Sequence, residues 1–125
     1  MPIRQVTPHK HFPSRDSRAL ATLRFSPEEL AARYGLEFEE DYDDLDCFKL
    51  AAIALEDGNQ AWLMRHRGNP EPGTDVYVDS LADLAATREQ LERILGVTDA
   101  DFTWFAPGAE TKKRPAEASP AQAAG

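Results

Sequence analysis

Ten consecutive residues hold the densest chemistry in the chain. Glu37-Phe38-Glu39-Glu40-Asp41-Tyr42-Asp43-Asp44-Leu45-Asp46 contains seven carboxylates. Phe38, Tyr42 and Leu45 interrupt the charge at wide spacing, where apolar side chains can anchor a segment on a core. Such a strip can dock a basic protein surface, with aromatic anchors beside the charge. Its contact residues would be Glu37, Glu39, Glu40, Asp41, Tyr42, Asp43, Asp44 and Asp46. Hard divalent cations also take carboxylate oxygens. The strip lacks the ligand order of an EF-hand loop and has no glycine for the sharp turn, so no metal is expected. The plain alternative is a solvated acidic loop.

Arg65-His66-Arg67 is the second group able to do chemistry. In a strand the two arginines share a face and the histidine points away. A pair of guanidinium groups on one face can grip a carboxylate or a phosphate. His66 can act as an acid or base near neutral pH. Catalysis by His66, Arg65 and Arg67 is the competing reading. No glycine-rich phosphate loop accompanies them and no nucleophile sits at a recognisable spacing. Pairing of both arginines with nearby carboxylates is the simpler expectation.

Three weaker signals remain. His9-Lys10-His11 places two imidazoles on one side of an extended chain, without a third ligand nearby. Cys47 opens an apolar run and reads as a buried, inert thiol. Trp62 and Trp104 read as core residues, or as interface anchors if exposed beside the acidic strip. No nucleotide-binding, metalloprotease, deaminase, kinase or hydrolase signature is present. No cofactor is expected.

The whole chain bounds what these groups can do. Its 125 residues include 14 basic and 22 acidic side chains, a net charge of -8. The charge is uneven: residues 1–25 carry +4, residues 26–107 carry -13 and residues 108–125 carry +1. The acidic middle argues against a nucleic-acid partner, which requires a basic face. Lys112-Lys113-Arg114 is too short to supply one. No apolar run approaches the roughly 20 residues of a membrane span. Met1-Pro2-Ile3-Arg4 lacks the apolar stretch of a secretory signal, and the expected location is cytoplasmic. One cysteine excludes an internal disulfide framework and any cysteine-rich zinc site.

These groups need elements to position them. Ser26-Pro27-Glu28-Glu29 is a capping box with proline at the first helical position, and Gly35 is a natural stop, so the pattern predicts a helix over 27–34. Residues 47–64 read as a hairpin: an apolar run from Cys47 to Leu55, an Asp57-Gly58 turn, and a second run from Gln60. A helix over 43–55 competes, because Leu45, Phe48, Ala52 and Leu55 also sit at helical spacing. Thr74–Asp79 alternates and is rich in strand formers. Ser80 can cap a second helix, with Asp83 at the capping-box position and a stripe of Leu81, Leu84, Ala85, Leu91, Ile94 and Leu95. Thr98–Asp101 resembles a cap and one turn. Phe102–Phe105 reads as a last strand or docking segment.

The expected fold is α+β, an antiparallel three- to four-stranded sheet with two helices packed on one face. Residues 1–19 read as an extended or disordered arm, 20–107 as a single domain and 108–125 as a disordered tail. The expected function is a non-enzymatic protein-binding or regulatory module whose acidic strip docks a basic partner. Two alternatives stand beside it. One is a small enzyme acting on an anionic or phosphorylated substrate. The other is a homo-oligomer in which another copy completes the sheet's apolar face.

Overall fold

The computed structural model of the chain describes residues 3–7, 17–42, 46–70 and 72–109. Asp43, Asp44, Leu45, the His9-Lys10-His11 group and residues 110–125 of the expected tail lie outside these. In chain order the elements are β1 (Gln5–Val6), β2 (Ser17–Leu23), α1 (Pro27–Tyr34), β3 (Glu39–Tyr42), β4 (Cys47–Ala54), β5 (Gln60–His66), β6 (Thr74–Asp79), α2 (Leu84–Leu95), a 3-10 turn (Asp99–Asp101) and β7 (Phe102–Phe105).

Among the described residues the class is α+β, with two helices and an antiparallel sheet. The described sheet has seven strands rather than three or four. Its order is β1-β4-β5-β6-β2-β7, and β3 joins the same outer edge of β4 as β1. Three strands account for the difference. β2, with the sequence Ser-Arg-Ala-Leu-Ala-Thr-Leu, has a composition equally suited to a helix. It becomes a strand because β6 and β7 pair with it on both sides. β3 is Glu-Glu-Asp-Tyr, and acidic residues are depleted in strands. Four register pairs with β4 hold it, from Glu39 opposite Leu50 to Tyr42 opposite Cys47. β1 is two residues long, shorter than any periodic signal. β1 and the first three residues of β2 also fall within residues 1–19.

The hairpin forms as its turn dictates. β4 and β5 pair over seven positions, from Phe48 opposite His66 to Ala54 opposite Gln60. Gly58 sits at φ +90°, where a side chain is disfavoured. Residues 47–54 are thus strand and not helix.

Each helix begins at a local signal. In α1 the Ser26 hydroxyl accepts from the Glu29 N–H at 3.1 Å, and the Glu29 carboxylate accepts from the Ser26 N–H at 2.8 Å. In α2 the cap is Asp83, not Ser80: its carboxylate accepts from the Ala86 N–H at 3.1 Å. The expected stripe consequently loses its first member, and Leu81 is 92% exposed.

Apolar side chains bury both faces of the sheet. On one face Leu30 of α1 and Leu84, Leu91 and Leu95 of α2 join Leu20, Leu23, Ile53, Leu63, Val76 and Val78 in one core. On the other, Phe48, Leu50, Ala52, Trp62 and Met64 form a second cluster with Val6 and Tyr77. No helix residue belongs to it, so both helices pack on one face. Burial on both sides explains why β4 reads as a continuous apolar run. Among the described residues no helix is long and apolar enough to cross a membrane.

Candidate functional site

The acidic strip becomes an edge strand. Glu39, Glu40, Asp41 and Tyr42 are all exposed along β3. Pairing with β4 splits them between faces: Glu40 and Tyr42 lie opposite Lys49 and Cys47, while Glu39 and Asp41 lie opposite Leu50 and Phe48. β1 holds the approach to this strand. The Gln5 side chain accepts from the Glu37 N–H at 2.9 Å and donates to the Glu37 carbonyl at 2.7 Å. Phe38 packs against the main core, as an anchor should. Tyr42 does not, and stands 73% exposed.

Asp46 stands apart from the strip. Its carboxylate accepts from the Cys47 N–H at 2.8 Å and from the Gly68 N–H. It fastens the start of β4 to the turn after β5. Among the described residues no three His, Cys, Asp or Glu side chains are grouped so as to hold a metal.

Arg65, His66 and Arg67 all border one concavity of about 360 Å³, where β4 begins and β5 ends, beside the start of α1. The pairing of Lys49 with Arg65 sets those two side chains on the face that carries α1 and α2, and His66, opposite Phe48, on the other. The His66 ring lies 5.3 Å from the Phe48 ring. Arg65 donates to the Gly73 carbonyl at 2.8 Å and to the Asn69 carbonyl at 3.3 Å. Arg67 is exposed.

Two residues of this hollow carried no signal as a pair. Glu28 of α1 and Lys49 of β4, 21 positions apart, form an ion pair. The hydrogen bond from Lys49 holds the Glu28 carboxyl below its usual range, and the same bond raises Lys49. Lys49 is the one cation inside the apolar run from Cys47 to Leu55. That interruption is the feature by which sequence reasoning could have found it. Glu40 reaches the same hollow from the acidic strip, and Cys47 lines it as a buried, free thiol.

The tryptophans divide. Trp62 is buried in the second cluster. Trp104 is 46% exposed, but on β7, the edge of the sheet farthest from β3. It cannot anchor a partner seated on the acidic strip. Comparison with protein-family models, curated proteins and solved structures finds no match for this chain.

Proposed function

We propose that the protein is a non-enzymatic, cytoplasmic binding module that docks a basic partner along the strip from Glu37 through β3. The observation that carries this reading is the exposure of every residue of β3. Its inner edge pairs with β4, and no described strand pairs with its outer edge. An edge strand offers a row of backbone donors and acceptors to another chain. The carboxylates on both its faces repel a second copy of the same strand and attract a basic one. An extended Lys/Arg-bearing segment would therefore gain both main-chain pairing and charge complementarity. Exposed Tyr42 supplies aromatic surface, the residue type favoured at interface centres.

The test is a pull-down from native cell extract with wild-type protein and with a Glu37→Gln, Glu39→Gln, Asp41→Asn variant. The variant should fold normally, because these groups are solvated and mutually repulsive. The partner retained by wild type should associate with the variant at least tenfold more slowly, with a flatter salt dependence, since attraction between exposed charges is screened beyond about 8–10 Å. His66→Ala should leave the association unchanged. A partner that binds the triple variant at the wild-type rate would rule the reading out.

A further inference from the structure

The hollow where β4 begins and β5 ends brings positive charge together in an acidic chain. Residues 26–107 carry a net charge of -13. Yet Lys49, Arg65 and Arg67 line a single concavity whose only described carboxylates are Glu28 and Glu40. Among the described lining residues, three cations face two carboxylates, in a domain that is otherwise strongly negative.

The fold brings these cations together, and pairing maintains the arrangement. Lys49 sits directly across from Arg65 in the β4–β5 ladder. The Arg67 N–H donates to the Cys47 carbonyl at 2.9 Å, which carries the pairing past the end of β5. Two carbonyl oxygens orient the Arg65 guanidinium, and Glu28 orients the Lys49 ammonium. The Arg67 side chain forms no hydrogen bond or ion pair with a described residue. An exposed guanidinium that lines a hollow with no described partner can offer its fork to a carboxylate or phosphate. Ser26 already accepts the Glu29 N–H, so the case rests on side chains and not on the end of α1.

We propose that this hollow binds a small oxyanion, the carboxylate or phosphate group of a compact metabolite, with Arg67 as the principal contact and Lys49 and Arg65 completing the field. The volume of about 360 Å³ lies at the low end for ligand pockets, which limits the ligand to a small one. Glu28 and Glu40 limit its charge, so a small anion is favoured over a polyphosphate. This site meets the docking strip only at Glu40, since Glu37, Glu39 and Asp41 do not line it.

The experiment is a nitrogen-15 NMR titration of the full chain with inorganic phosphate and, separately, with acetate. Sodium chloride at matched ionic strength is the control. Saturable shifts should appear at the amides of Lys49, Arg65 and Arg67. Arg67→Ala, at an exposed position that leaves the fold intact, should weaken binding about tenfold or more, the loss expected for one charge-assisted hydrogen bond. Glu40→Gln should tighten it several-fold, and Glu39→Gln with Asp41→Asn should leave it unchanged. Saturation by phosphate only, by acetate only or by both each supports the site and defines its ligand chemistry. Shifts reproduced by chloride, no saturation with either anion, or an Arg67→Ala protein that binds as wild type would each overturn it.

Discussion

Arg88 sets the residue-scale argument, because it is a charge with no exposed surface at all. Lys, Glu, Arg and Asp are almost never buried unless paired. Arg88 is paired three ways: with Glu92 one turn along α2 at 3.1 Å, with Asp99 of the 3-10 turn, and with the Ala109 carbonyl at 3.2 Å. Its guanidinium also lies 3.8 Å from the centre of the Phe105 ring. One side chain thereby ties α2, the 3-10 turn, β7 and the backbone at Ala109 together. Removing a partner from a buried pair is typically worth about 3–5 kcal/mol. Here Asp99 and Glu92 reach water, so both carboxylates can rehydrate and the loss falls near the lower end. Arg88→Ala should therefore lower the unfolding free energy in urea by about 3 kcal/mol. Arg88→Lys should recover little, because an ammonium can neither span three acceptors nor stack flat on a ring. An Arg88→Ala protein within about 1 kcal/mol of wild type would mean that the contacts are incidental.

At the scale of elements, two glycines separate backbone strain from crowding. Gly58 turns the β4–β5 hairpin at φ +90°, and a Cβ there would meet nothing within 4 Å. Gly73 precedes β6 at φ +108°, and a Cβ there would lie 2.2 Å from the Leu23 carbonyl oxygen of β2. Gly58→Ala should therefore cost only the left-handed strain, about 1–2 kcal/mol. Gly73→Ala adds a clash with backbone that the β2–β6 ladder holds in place, so it should cost clearly more. Urea unfolding of the two variants side by side checks the order, and equal losses would show that β2 yields. The same close approach explains why Gly73, in a segment that reads only as a turn, is buried: it sits where two strands distant in sequence begin to pair.

For the whole molecule, the acidic composition and the ion pairs act in opposite directions as pH falls. Lys49 lowers Glu28 and Arg93 lowers Glu56, through side-chain hydrogen bonds. Backbone N–H groups of Asn59 and Thr98 lower Asp57 and Asp101. A carboxyl lowered on folding contributes stability that is present above its unfolded value, 3.8 or 4.5 here, and lost as pH falls through the folded value. Lys49 and Arg93 are raised through their hydrogen bonds to Glu28 and Glu56, so their contribution is present throughout the acid and neutral range and lost only in strong base. Repulsion among the exposed carboxylates of β3 opposes these contributions. Solvent screens charges on an exposed edge strand, so the ion pairs and backbone contacts should prevail. The thermal midpoint should stay nearly level between about pH 7 and pH 5 and fall below about pH 4. A midpoint that rises from pH 5 to pH 3, followed by circular dichroism, would show that strip repulsion is the larger effect.

What was legible in the sequence was whatever the chain settles locally. The capping box at Ser26 and Glu29 needs only four residues, and α1 spans the expected 27–34. The Asp57-Gly58 turn needs only its neighbours, and β4 and β5 follow from it. β6 alternates and β7 is aromatic, and both are strands. Even the miss at α2 is local: Ser80 and Asp83 are both competent caps, and the chain takes the later one. Tertiary structure decided what no short window contains. β2 is a strand because β6 and β7, more than fifty residues downstream, flank it, and β3 because β4 offers it a paired edge. The hollow has the same origin. Arg65, His66 and Arg67 were visible as a group, but their convergence with Lys49, Glu28 and Glu40 depends on strand register and on where α1 lands. Strand pairing joins residues far apart in sequence, and the energy that selects one partner over another resides in the assembled sheet rather than in the strand.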